Sequence, residues 1–407
     1  MHSILHICSL QRVGGSETTL CDFLESPFMK KKANNYIYAL GNKAHHDLQS
    51  RINKISIPIY FARSTLGLNN PISLSKIKFQ CLIKILSPKL IIFWNCLGSI
   101  NNKNKWLYNL DIPYIHFERG NIESCTFEHH KLEYLKSAQL IITNSFSNSR
   151  HISLRYNLTR DIYVSYTGLP RSFENIGGGY KNFPLDRNLR VAVCGRLNSI
   201  KGIAIALQSL RLLKDKAIIF DLHIAGTGPE AEKIQSLASK LDVADQVFFH
   251  GFISSTAIIN FYEMVDLLII PAIREPFAKV SLEAQYKGCP AIVSRVDGVP
   301  ETILEGVTGY SIPPTLDIEE YIQMGGSSDG LPELVYNPDE DSLEPPKALN
   351  PEHLAEKLRF ILQNPDLYEK LSQNAYNTAK ERFSHEKHIK EIWKLFEEAM
   401  GNSRHHP

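Results

Sequence analysis

Leu267-Leu268-Ile269-Ile270-Pro271 runs through Ala272-Ile273 into Arg274-Glu275-Pro276-Phe277-Ala278-Lys279-Val280-Ser281-Leu282-Glu283, and the reading of the chain turns on this stretch. The apolar run predicts a buried strand, and the tail predicts a helix continuing through Ala284 and Gln285. A loop that leads from a strand into a helix start offers backbone N–H groups to an anion. Glu283, a turn or more into that helix, can accept hydrogen bonds from hydroxyl groups, as can Glu275 in the loop. The stretch therefore suits a ligand that joins phosphate to sugar. Two glutamates at this spacing are commonplace, and alone they read as a solvated helix face.

The surrounding sequence alternates strands and helices. Arg190–Cys194, Ile218–Ala225, Gln246–His250, Leu267–Pro271, Ala291–Ser294 and Gly309–Ile312 read as strands of one sheet. Earlier runs, Ser3–Ser9, Asn35–Leu40, Leu90–Asn95, Tyr114–Phe117 and Leu140–Thr143, read as another, with helices such as Glu17–Leu24 and Ser73–Leu86 between them. Such alternation implies two doubly wound parallel sheets, an α/β chain with a cleft between strand ends as the default ligand site. The expected domains are 1–180, 181–384 and a final segment 385–407, with Arg171–Arg190 as linker. Residues 315–350, rich in Pro, Gly and acids, read as a long, partly ordered insertion. Helices are expected at Pro351–Leu362, Pro365–Phe383 and His385–Met400. In the last, Ile389, Ile392, Trp393 and Phe396 form one apolar stripe.

Around the opening stretch the motifs become specific. Gly195-Arg196-Leu197-Asn198-Ser199-Ile200-Lys201-Gly202 is similar to a G-R-L-x-x-x-K-G loop, and Leu222 to Glu230 to an L-x-I-x-G-x-G-P-E segment. Glu275 to Glu283 matches E-P-F-x-x-x-x-x-E; Gly288-Cys289-Pro290, Gly298-Val299-Pro300-Glu301 and Gly306-Val307-Thr308-Gly309 follow in order. Residues 191–310 thereby resemble the donor domain of the retaining GT-B glycosyltransferases of family 4, the glycosyl transferases group 1. The resemblance implies a GT-B fold whose last helix crosses back to the first domain. It also implies a UDP- or GDP-sugar donor and transfer to a glycan or lipid-linked glycan, as in lipopolysaccharide or O-antigen synthesis. Arg196 and Lys201 would neutralise the donor diphosphate, Glu275 would contact the sugar and Glu283 the ribose. Gly251 and Phe252 would lie by the nucleobase, and Phe277, Ala278, Lys279 and Val280 would approach the donor. Two cations on one loop suit developing phosphate charge in a partly dry site. The family usually has glycine where this chain has Ala278, which bears on the local backbone and on sugar selectivity.

In the first half the resemblance is looser. Gly14-Gly15-Ser16-Glu17 is similar to the family's G-G-x-E loop, where paired glycines permit a tight turn and close approach to the donor. His116, followed by Glu118, Arg119 and Asn121, stands where relatives carry an active-site histidine, and Arg150 is a further candidate for acceptor or phosphate. A dehydrogenase reading of Gly226-x-Gly228-x-x-Ala231 lacks the acid after the next strand, which ends in His250-Gly251. A GT-B-fold epimerase or hydrolase, or a catalytically silent carbohydrate-binding relative, is the alternative to transfer.

No metal is expected. Asp339-Glu340-Asp341 fits D-x-D but lies in a Pro-rich acidic setting and reads as solvated charge, and the doubled histidines at 45–46, 129–130 and 405–406 lack partners at ligand spacing. The seven cysteines are scattered without C-x-x-C and read as reduced thiols. Met1 to Leu10 carry no Lys or Arg, so no signal peptide is expected, and no apolar run reaches the ~18 residues of a membrane span. Residues 1–180 hold 21 Lys and Arg against 11 Asp and Glu, the remainder 24 against 32. A basic first half suggests an anionic membrane surface or a phosphorylated acceptor as partner, although a solvated basic face is the plainer account. A cytoplasmic enzyme, peripheral on the inner face of the plasma membrane and without nucleic acid as partner, is the resulting expectation.

Overall fold

The computed structural model describes residues 1–62, 72–120, 122, 128–254 and 257–401. Asn121, Cys125 and His405-His406 lie outside the described residues. The chain forms two compact units, one of residues 1–170 with 385–407 and one of residues 171–384.

The first unit holds a seven-stranded parallel sheet: β1 (His2–Cys8), β2 (Ala33–Ala39), β3 (Ile59–Phe61), β4 (Leu90–Trp94), β5 (Tyr114–Glu118), β6 (Leu140–Thr143) and β7 (Tyr163–Val164). Their order is β3-β2-β1-β4-β5-β6-β7. The short edge strands β3 and β7 carry too few apolar residues to stand out in the sequence. The central strands are near-continuous apolar runs, as expected where both sheet faces are covered. On one face lies the helix His385–Gly401, whose Ile389, Ile392, Trp393 and Phe396 are buried with Ile4, Ile92 and Phe117. The expected crossing back of the last helix is thus met. Within β1, His6 is fully buried; its Nε2 lies 3.0 Å from Asn35 Oδ1, and its Nδ1 accepts from Trp94 Nε1 at 2.9 Å. Burial pushes its pKa down to about 4.

The second unit repeats the plan with β8 (Leu189–Cys194), β9 (Phe220–Ala225), β10 (Val247–Gly251), β11 (Leu267–Ile270), β12 (Ala291–Ser294) and β13 (Gly309–Ile312), ordered β10-β9-β8-β11-β12-β13 and all parallel. Renumbered within the unit, the order is 3-2-1-4-5-6, that of dinucleotide-binding sheets. Residues 171–180, expected as linker, pack into this unit: Lys287 Nζ donates to Gly177 O at 2.7 Å, and Gly178 sits against Tyr286 and Tyr376. The segment 315–350 is built rather than loose. It holds the helix Ile318–Gln323 and an antiparallel hairpin of β14 (Val335–Asn337) and β15 (Ser342–Glu344). Its Pro and acidic content concealed this because the hairpin is held by hydrogen bonds to neighbours distant in sequence.

Candidate functional site

In a sheet of this order the connections leave in opposite directions at one point, and a crevice opens there beyond the strand ends. In the second unit that point lies between β8 and β11. The loop after β8 carries Arg196 and Lys201, and the loop after β11 carries Glu275, so the topology brings the two motifs together. They are joined through the backbone, where Ile273 N–H donates to Ile200 O at 2.9 Å. The approach is close enough to require glycine. Gly202 has φ +63, and a Cβ there would lie 1.9 Å from Pro271 O; Gly226, with φ +141, abuts Gly195 O in the same way.

Across this seam Lys201 Nζ donates to the Glu275 carboxylate, the two side chains being 21% and 14% exposed. Burial pushes the Glu275 carboxyl up, but the Lys201 charge and hydrogen bond, with Arg274 nearby, outweigh it and hold the group below its ordinary value. A charged carboxylate at that place can accept from sugar hydroxyls, and the paired lysine can turn to an incoming phosphate. Arg196 is exposed on the same loop.

Phe277 and Ala278 are buried, and Lys279 and Val280 begin the helix Lys279–Tyr286. Ala278 has φ −78 and ψ 85, a conformation open to any L residue, so alanine in place of the family's glycine strains nothing. Glu283 accepts from Tyr262 Oη at 3.4 Å. Gly251, with φ +63, ends β10 and turns the chain to Phe252, which is 77% exposed.

In the first unit Gly14 caps the helix Gly15–Glu25 with φ −147 and ψ 178. Neither glycine has positive φ, so the tight-turn reason for them is corrected, leaving only the space they open. The Glu17 carboxylate folds back over Gly14, and burial raises its pKa. His116 is fully buried in β5, its Nδ1 3.1 Å from Tyr134 Oη and its Nε2 3.3 Å from Glu118 Oε2. Its place is that of a core histidine beside a buried carboxylate. Arg119, which follows it, is buried too, and its Nη2 donates to the Thr19 and Thr167 hydroxyls at 3.1 and 2.7 Å. Arg150 is half-buried on the helix Phe146–Tyr156.

Two expectations about carboxylates and histidines need correction. Asp339 faces Arg295 at 3.5 Å, and Asp341 accepts from Tyr336 Oη at 2.9 Å, so this acidic run is engaged rather than merely solvated. His45 and His46 do have a neighbour: with Asp47 their ligand atoms lie within 4.8 Å of one another, although His46 and Asp47 are exposed.

The fold is the one seen in GT-B glycosyltransferases. A glycosyltransferase of Rickettsia africae superposes over 98% of this chain and 99% of its own, with TM-score 0.74 at 18% identity. Anabaena HepE in complex with UDP covers 98% of this chain and 100% of its own, with TM-score 0.70 and 18% identity. Residues 181–323, within the second unit, match the family model described as glycosyl transferases group 1. An uncharacterized glycosyltransferase of Methanocaldococcus jannaschii is 31% identical over 196 residues, 46% of this chain; the chain thus spans about half, 50%, of that relative's length.

Proposed function

We propose that this chain moves a sugar from a UDP- or GDP-sugar to a hydroxyl of a glycan or lipid-linked glycan, with retention and without a metal ion. The observation that carries the reading is the Lys201–Glu275 pair across the β8/β11 seam. In this reading Lys201 and Arg196 turn to the diphosphate and stabilise it as it leaves, while Glu275 holds the sugar hydroxyls. Glu283 takes the ribose, and exposed Phe252 beside Gly251 offers a face to the base. Retention rests on the family resemblance.

The acceptor side is proposed to face an anionic membrane, as suits a lipid-linked surface-polysaccharide intermediate. Support comes from residues 48–110, which contain no Asp or Glu. Within them the helix Ile72–Leu86 exposes Leu74, Ile77, Cys81 and Ile85 along one side, with Lys76, Lys78 and Lys84 also exposed. An apolar stripe among lysines is the pattern of a helix that lies in a lipid interface. Among the described residues no helix is long and apolar enough to cross a membrane.

The test is a donor screen with UDP- and GDP-sugars that detects released nucleoside diphosphate, with and without acceptor and with excess chelator. Release of nucleoside diphosphate with sugar appearing on the acceptor, chelator present, is the expected result. Epimerised or hydrolysed donor regardless of acceptor would replace transfer with the alternative chemistries.

A further inference from the structure

We propose that Asp297 is a positioning residue for Glu275, locked in place from behind by the β14–β15 hairpin of the 315–350 segment. The inference rests on the reading of Glu275 as the group that meets the donor sugar. Asp297 follows β12, is 2% exposed and has φ +46. Its carboxylate is divided between two backbones: Oδ2 accepts from Glu275 N–H at 3.0 Å, and Oδ1 from Tyr336 N–H at 2.9 Å. Asp297 N–H donates back to Tyr336 O at 2.9 Å. One side chain thus ties the loop after β11, the turn after β12 and the hairpin to each other.

The residue type follows from these demands. Left-handed backbone is tolerated best by Gly, Asn and Asp, and of these only Asp offers acceptors to both N–H groups. Tyr336 is itself fixed, being buried and donating through its hydroxyl to Asp341 in the hairpin turn. Ile273 ties the loop after β11 to the phosphate side, and Asp297 ties it at Glu275. The Glu275 side chain therefore starts from a backbone position set partly by the insertion. A hairpin more than thirty residues away in sequence is in this way part of the site's sugar end.

The experiment uses the full chain with UDP and UDP-glucose as probes, and amide hydrogen exchange of the peptide that contains Glu275. The variants are Asp297→Asn, a replacement of residues 335–344 by a Gly-Ser link, and Glu275→Gln as reference. Asp297→Asn is expected to lower kcat on UDP-glucose about tenfold, the equivalent of one buried hydrogen bond. The Kd for UDP should stay within about twofold, and Glu275 exchange should quicken about tenfold. The Gly-Ser variant should reproduce both effects; if it does not fold, Asp297→Asn decides. Unchanged exchange in Asp297→Asn overturns the proposal, as does unchanged kcat where Glu275→Gln is impaired. If no UDP- or GDP-sugar is turned over, or Glu275→Gln is unimpaired with a sugar that is, the reading of the site has failed, and exchange alone then decides whether Asp297 holds the loop.

Discussion

The loop after β8 and the loop after β1 both carry glycines before a helix, yet the missing side chains serve different ends. In the second unit, Gly202 of that loop presses on Pro271 O, and Gly226 and Gly228 of the loop after β9 press on its Gly195 and Leu197 carbonyls, with 1.8–2.2 Å between a built Cβ and the oxygen. In the first unit nothing lies within 4 Å of such a Cβ on Gly15, and at Gly14 only the Glu17 side chain does. One loop uses glycine to close a seam inside its own unit. The other leaves space unfilled. The contrast teaches that a glycine motif carries two distinct kinds of constraint, packing and access, which look identical as letters.

The largest effect concerns what each unit needs beyond its own sheet. Trp393→Ala removes a buried ring from the first unit's core and should cost about 3 to 5 kcal/mol, measured by urea melts that resolve the two units. A loss confined to the second unit's transition would break the comparison.

Next comes the seam itself. Lys201→Ala should remove about 2 to 4 kcal/mol of transition-state stabilisation, a fall in turnover on the order of a hundredfold with the fold intact. Arg196→Ala should act in the same direction. Unchanged turnover in both variants at saturating donor would sink the diphosphate assignment.

The glycines supply the third test. Gly202→Ala should destabilise by about 2 to 3 kcal/mol, through positive φ and collision with Pro271 O. Gly15→Ala should stabilise slightly, by up to about 1 kcal/mol, as it replaces glycine in a helix. If Gly15→Ala nevertheless impairs turnover, the space it fills belongs to a ligand. Equal stability changes at the two positions would erase the distinction drawn here.

The smallest effect is one of pH, and it has the same sign in both units. Burial holds His6 in the first unit and His223 in the second at pKa values of about 4. The unfolded chain, near 6.5, binds these protons first. Stability from each is therefore full above pH 6.5 and falls until about pH 4. For His6 the loss should reach about 1.4 kcal/mol by pH 5.5. A midpoint of urea unfolding that stays flat from pH 7.5 to 5.5 would show that these histidines are already neutral in the unfolded chain or charged in the folded one.

How much of this was legible follows from the range of the interactions. The strand cores, the helix stripe of Ile389 to Phe396 and the Arg196, Lys201 and Glu275 motifs declare themselves locally, through period and spacing. The two-residue β7 and three-residue β3 do not, because pairing at a sheet edge needs little sequence signal. Asp297 was hidden for another reason: Asp297-Gly298 reads as an ordinary turn, and its value lies in two backbone donors supplied from elsewhere. His116 shows the opposite failure, since a strand-end position suggested access while the fold buries it completely.

The helix His385–Gly401 sets the order in which the molecule can be made. Residues 1–170 leave the ribosome first, but their sheet face stays uncovered until a helix arrives that lies beyond the whole second unit. At ordinary elongation rates the wait is roughly ten seconds to most of a minute. The second unit, contiguous in sequence, can finish folding within that interval. Birth order and completion order are therefore reversed, and nascent chains stalled before residue 385 should present the first unit's apolar face to chaperones.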